Sequence, residues 1–246
     1  MLDKESIYCD GVPDWKMANE LLHADTTEKL ENFAKEHPFG ISDNLGGGFS
    51  FALKDFSAMR SVLIKALEFA AAADDCSLYN PESLKEIGIN ITRTEKEYEI
   101  ELNIQLEPCN YTEWIKEETL LGYVISAYPV KSFSENDICR FAASTAFDEI
   151  INTHLRNVKL ISCNKKMGFS IEPNSAESLW AGVLEKSTEK DSYIGVCKNC
   201  GKPFFAEKAR SRKRKFCNNG DKCKTAYGNR KKLEKRKEQK NGKNEK

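Results

Sequence analysis

The stretch Cys197-Lys198-Asn199-Cys200-Gly201-Lys202-Pro203-Phe204-Phe205, with Phe216-Cys217 and Cys223 further on, fixes the architecture of the C-terminal end of this chain. Two cysteine pairs, C-x2-C and C-x5-C, stand sixteen residues apart, and those sixteen residues hold seven Lys or Arg. Thiolates at such spacing can close a tetrahedral Zn²⁺ site, and a site closed by four sulfurs is structural rather than catalytic. Cys197, Cys200, Cys217 and Cys223 are therefore the candidate ligands of one structural Zn²⁺. An iron–sulfur cluster is the competing occupant, and chance pairing the bland one. Gly201 suits the tight return after Cys200, and Phe204, Phe205 and Phe216 are read as a small apolar patch beside the metal. A segment this short has little core of its own, so metal is what would let it fold.

Charge divides the chain at the same place. Residues 197–246 carry 19 Lys/Arg against 5 Asp/Glu, a net of +14, and residues 1–196 carry the opposing −14. A field so basic attracts polyanions. Arg210, Arg212, Lys213, Arg214 and Lys215 precede the second cysteine pair. Lys224, Arg230, Lys231 and Lys232 follow it on an expected basic helix. These nine are the candidate nucleic-acid contacts. Phosphate contacts give salt-sensitive affinity and little sequence information. Tyr227 or a phenylalanine is read as able to stack on an unpaired base. The opposed charges also raise docking of the acidic body onto the basic module, in competition with nucleic acid. Charge alone does not choose between DNA and RNA.

Cys197-x2-Cys200-Gly201-Lys202-x-Phe204, the basic run from Arg210 to Lys215, Phe216-Cys217, Cys223 and Gly228-Asn229-Arg230 resemble the CGNR-type zinc finger, a bacterial family similar to treble-clef zinc ribbons. The resemblance covers residues 197–230. Four residues separate Cys223 from Gly228-Asn229-Arg230, which the family places directly after its fourth cysteine. It implies a helical N-terminal domain followed by a four-cysteine finger, and a DNA-binding transcriptional regulator.

Ahead of the finger, hydrophobic periodicity predicts an α+β body. Leu21-Leu22 and Leu30, Phe33 read as helix faces, ended at His37-Pro38, and Asn44 to Gly48 as a turn. Met59, Val62, Leu63, Ala66, Leu67 and Ala70 recur at helical spacing over 57–73, with Asp55 or Ser57 as cap. Residues 87–106 alternate as a β-hairpin around 94–97. A helix is expected over 112–126. Ser134-Glu135-Asn136-Asp137 reads as a capping box for a helix to about Leu155, with Ile138, Phe141, Ala142, Ala146 and Ile150 on its inner face. A second hairpin is expected around 164–166, then a helix from Ser175 to Leu184.

The expected layout is thus a mainly helical body with antiparallel hairpins at 1–186, a linker at 187–194, the zinc ribbon at 195–233 and a basic disordered tail at 234–246. No secretory signal or membrane-length apolar run is read, and nine cysteines without export information fit a reducing cytoplasm. His23, His37 and His154 carry no motif, so no catalytic residue is assigned. The leading function is nucleic-acid binding, DNA before RNA, with a body that senses or binds a partner. The rival is a protein–protein adaptor whose zinc knuckle is only a staple, and a nucleic-acid-processing enzyme stands third.

Overall fold

The computed structural model describes residues 13–38, 40–42, 48–50, 53–74, 81–105, 120–129, 132–155, 158–163, 166–171, 175–207, 215–217 and 220–244. Among these the chain forms seven helices and nine strands in four antiparallel sheets, an α+β arrangement. The helices are α1 (Trp15–His23), α2 (Thr27–Glu36), α3 (Leu53–Asp74), α4 (Pro81–Glu86), α5 (Glu135–Leu155), α6 (Ala176–Thr188) and α7 (Gly220–Asn244). The strands are β1 (Gly40–Ser42), β2 (Gly48–Ser50), β3 (Ile89–Arg93), β4 (Glu97–Gln105), β5 (Leu120–Pro129), β6 (Lys159–Cys163), β7 (Lys166–Ser170), β8 (Ser192–Val196) and β9 (Pro203–Glu207).

Helix α3 is the centre of the body. It is apolar on nearly every side, burying Phe56, Met59, Val62, Leu63, Ala66, Leu67 and Phe69, as a helix surrounded by other elements should. It packs against α1, α2, α5 and the β8–β9 hairpin. Its first turn begins before Asp55, which is buried inside the helix rather than capping it. The Ser134 capping box is formed: Asp137 N–H donates to Ser134 Oγ at 3.2 Å, and Ser134 N–H donates to Asp137 Oδ2 at 3.1 Å. From there Ile138, Ala142, Ala146 and Ile150 enter the core, while Phe141 is 42% exposed and lies off the buried stripe.

Strands β3, β4 and β5 make a meander, with Tyr98, Ile100 and Leu102 buried and Glu99 and Glu101 outward, the period of two that a half-buried sheet requires. The helix expected over 112–126 is overturned where it is described: Leu120–Pro129 pairs with β4, Leu102 facing Tyr123 and Ile100 facing Ile125. The open edge of β4 and the β-branched and aromatic residues of 120–129 outweigh a helical reading. Residues 112–119 lie outside the described residues, as does most of the turn read at 44–48. The hairpin read around 164–166 forms as β6–β7.

Ser175 caps the start of helix α6, its Oγ accepting from Ser178 N–H at 3.1 Å. It crosses the start of α1 at Gly182, where a Cβ would lie 2.2 Å from the backbone nitrogen of Trp15. Backbone cannot yield as a side chain can. Gly182→Ala is therefore expected to lose about 1–3 kcal/mol of stability, although alanine elsewhere in a helix would gain roughly 1 kcal/mol. A thermal melt checks the sign, and a raised midpoint would refute the close packing.

The segment read as a linker is structured. Thr188 ends α6, Ser192 starts β8, and Ser192 Oγ donates to Lys186 O at 2.6 Å. The tail read as disordered continues α7 to Asn244. Its Lys, Arg, Glu and Gln residues all have high helix propensity, which favours extending the helix over disorder.

Candidate metal centre

The tip of the β8–β9 hairpin, the segment 215–217 and the start of α7 together gather the four cysteines. Cys197 follows β8, and its N–H donates to Lys202 O at 3.0 Å, while Gly201 N–H donates back to Cys197 O at 2.9 Å. Gly201 has φ +71°, a conformation that glycine adopts without penalty, so the tip folds back within six residues. Lys198 N–H donates to Lys215 O at 3.0 Å, which ties the approach to Cys217 onto the tip. Cys223 comes from the first turn of α7.

All four sulfurs lie within 4.8 Å of one another, so the set could hold one metal ion. Cys200 Sγ is 3.9 Å from Cys217 Sγ, and Cys217 Sγ is 3.6 Å from Cys223 Sγ, far beyond the ~2.05 Å of a disulfide. Cys197, Cys217 and Cys223 are buried, and Cys200 is exposed. Burial opposes charge on Cys197, but the backbone N–H groups of Cys200, Cys217 and Asn199 outweigh it and bring that thiol down to about 6. Burial of its sulfur pushes Cys200 up, with Lys202 N–H working against the rise and Cys197 adding to it. Four thiols so close resist full ionisation until a cation lies among them.

The hairpin beneath the cluster has two apolar faces. Tyr193, Gly195, Cys197, Phe204 and Ala206 point one way, and Ile194, Val196 and Phe205 the other, as strand alternation demands. On the first face Tyr193, Phe204 and Ala206 form a small core with Cys197, Cys217, Cys223 and Phe216. Gly195 makes room for the Phe204 ring, since a Cβ there would stand 3.0 Å from it. On the second face Ile194 and Phe205 belong to the main core of the body, and Phe205 meets the ring of Trp15 edge-on at 6.3 Å. Phe205 is thus corrected: it serves the body rather than the metal. An ion pair, Lys202 Nζ to Asp25 Oδ2 at 2.8 Å, joins the tip to the α1–α2 connection. Lys202, and then Lys29, hold the Asp25 carboxyl well below the usual carboxylate range. Sequence reasoning missed this contact, because a pair 177 residues apart leaves no local signal.

The candidate nucleic-acid contacts divide. Arg210, Arg212, Lys213 and Arg214 lie outside the described residues. Lys215 is exposed beside Phe216 and Cys217, and Lys224, Arg230, Lys231 and Lys232 are all exposed on α7. Tyr227, read as free to stack on a base, is already engaged. Its ring meets Phe216 at 5.6 Å, with Arg230 at 5.6 Å and Lys231 at 5.4 Å.

The histidines have structural surroundings. His154 is buried against Trp180, His23 bonds to Asn19 O, and His37 Nε2 lies 2.8 Å from Glu20 Oε2. Glu36 completes a second grouping with Glu20 and His37, at the surface, where that hydrogen bond links α1 to the end of α2. Among the described residues no helix is long and apolar enough to cross a membrane. No family model, curated protein or solved structure matches the chain.

Proposed function

We propose that the four cysteines hold one structural Zn²⁺ and that the module built on it binds nucleic acid, DNA in preference to RNA. A tetrahedron with ~2.3 Å metal–sulfur bonds has edges of about 3.8 Å, and the observed 3.6 and 3.9 Å separations straddle that value. Such edges suit a single ion at the centre and are too short to surround a multi-iron cluster. Four protein sulfurs leave no position for a substrate, so the role proposed is binding rather than turnover. The chain is then read as a DNA-binding regulator of transcription in the bacterial cytoplasm, as the resemblance to CGNR-type fingers implies, with the body sensing or binding a partner.

The observation that carries the reading is the helix that leaves the metal site. Lys222, Lys224, Arg230, Lys231, Lys232 and Lys235 are all exposed, against Glu234 as the exposed acid of that stretch. A cationic surface fixed by metal suits a phosphate backbone.

The test uses the zinc-loaded full chain and a duplex DNA across a salt series. Binding should weaken steeply with salt, and Arg230→Ala with Lys232→Ala should lower the slope of log affinity against log salt by about 2. Metal analysis is expected to return one zinc per chain. A slope identical to the parent's would favour the adaptor reading, and iron in place of zinc would overturn the metal assignment.

A further inference from the structure

The nucleic-acid reading leaves the form of the partner open, and the surface of α7 narrows it. The helix runs for 25 residues, about 37 Å. Its anchoring strip is narrow. Cys223 and Tyr227, one turn apart, face the metal centre and Phe216, and Glu234 falls on the same side in helical register. The other sides carry the cations. Lys224, Lys231 and Lys235 form one row, Lys232 stands beyond it, and Arg230 lies on the other flank of Tyr227. Opposite the lysine row, between Lys232 and Arg230, runs a strip that is uncharged from Ala226 through Asn229 to Leu233 and has Lys222 at its N-terminal end; all are exposed, Leu233 at 57%.

This pattern fits a duplex better than a single strand. Proteins that hold single strands present aromatic rings for bases to stack on. Among the described residues of the module, Tyr193, Phe204 and Phe205 are buried, and Phe216 and Tyr227 are half-buried against each other. An A-form RNA duplex has a major groove too deep and narrow for side chains to read. The B-form major groove, about 12 Å wide, admits a helix roughly 10–12 Å across. A helix inserted there meets phosphates on both walls and base edges between them, the order in which α7 carries Lys232, its neutral strip and Arg230.

We propose that α7 enters the major groove of B-form DNA, Lys232 and Arg230 toward the two phosphate walls and Ala226, Asn229 and Leu233 toward the base edges. An asparagine amide can pair with adenine N6 and N7, and apolar side chains touch the thymine methyl. The preferred site therefore contains A·T pairs at the contacted steps. This inference rests on the nucleic-acid reading above and can fail separately from it.

The experiment measures binding of the zinc-loaded full chain to a DNA duplex, the matching single strand and the matching RNA duplex. It then repeats the DNA measurement with a duplex bearing bulky sugars in its major groove. Free DNA duplex is expected to bind at least tenfold more tightly than the other three. Equal or tighter binding of single strand, RNA or the blocked duplex would overturn groove entry and leave nucleic-acid binding standing. Absence of salt-sensitive binding to any of them would overturn both. Enrichment from a random duplex library supplies a preferred site. Asn229→Ala should cut its preference over a scrambled duplex by about tenfold, within the range for a single bidentate contact, with scrambled-duplex affinity and helicity kept. Unaltered discrimination in that variant would overturn the base-edge assignment.

Discussion

Replacing Cys200 and Cys217 together by serine is expected to abolish metal binding and to unfold the C-terminal module, with α7 losing most of its helicity. The size of the effect follows from what else holds the module. Its own core is Tyr193, Phe204 and Ala206 with the buried cysteines and Phe216, too few groups to offset the ordering of some fifty residues. Metal binding in comparable modules supplies on the order of 10–16 kcal/mol at neutral pH, far above what those few side chains can contribute. Helix α7 needs that anchor in particular. It is polar on most sides, and nucleating a helix is unfavourable until its first turn is fixed. Cys223 lies in that first turn, so an ion bound by its sulfur would also nucleate the helix. Circular dichroism of the parent with and without a chelator, beside the double variant, measures the loss. A far-ultraviolet spectrum unchanged by the variant and by chelation would show that the sulfurs do not organise the module.

The sequence made much of this legible because the relevant signals were local. Cysteine spacing predicted a cluster that the fold does assemble. The Ser134–Asp137 box and the alternation in 89–105 gave a helix start and a hairpin, each decided by neighbours a few residues apart. What escaped was decided at a distance. Strand β5 forms because β4 offers it an edge, a fact absent from 120–129 itself. The polar run 187–192 looks like a linker by composition, yet Ser192 is buried and hydrogen-bonded to the end of α6. Phe205 looks equivalent to Phe204 in sequence, and only strand alternation separates them. That alternation was readable in Tyr193-Ile194-Gly195-Val196 and could have assigned the two faces.

Those two neighbouring phenylalanines give the sharpest expected contrast. Phe205→Ala removes a ring from the main core, where it adjoins Trp15, and should cost the whole chain about 3–5 kcal/mol. The four sulfurs, on the opposite face, keep their supports, so metal stoichiometry and affinity should hold under native conditions. Phe204→Ala removes a fully buried ring from beneath the cluster and beside Gly195. Its cost, of similar size, should fall on the module, with metal lost to a competing chelator at lower concentration and the body's melting transition moved much less. The hairpin is a plate shared by two cores, so neither half is energetically separate from the other. Denaturant unfolding followed by tryptophan emission reports the body through Trp15 and Trp180, and chelator titration reports the metal centre. If both variants weakened metal binding equally while sparing the body, the two-faced hairpin would be wrong and the module would be an appendage. The crossed outcome, stability lost in one variant and metal in the other, is the one that alternation along β9 requires.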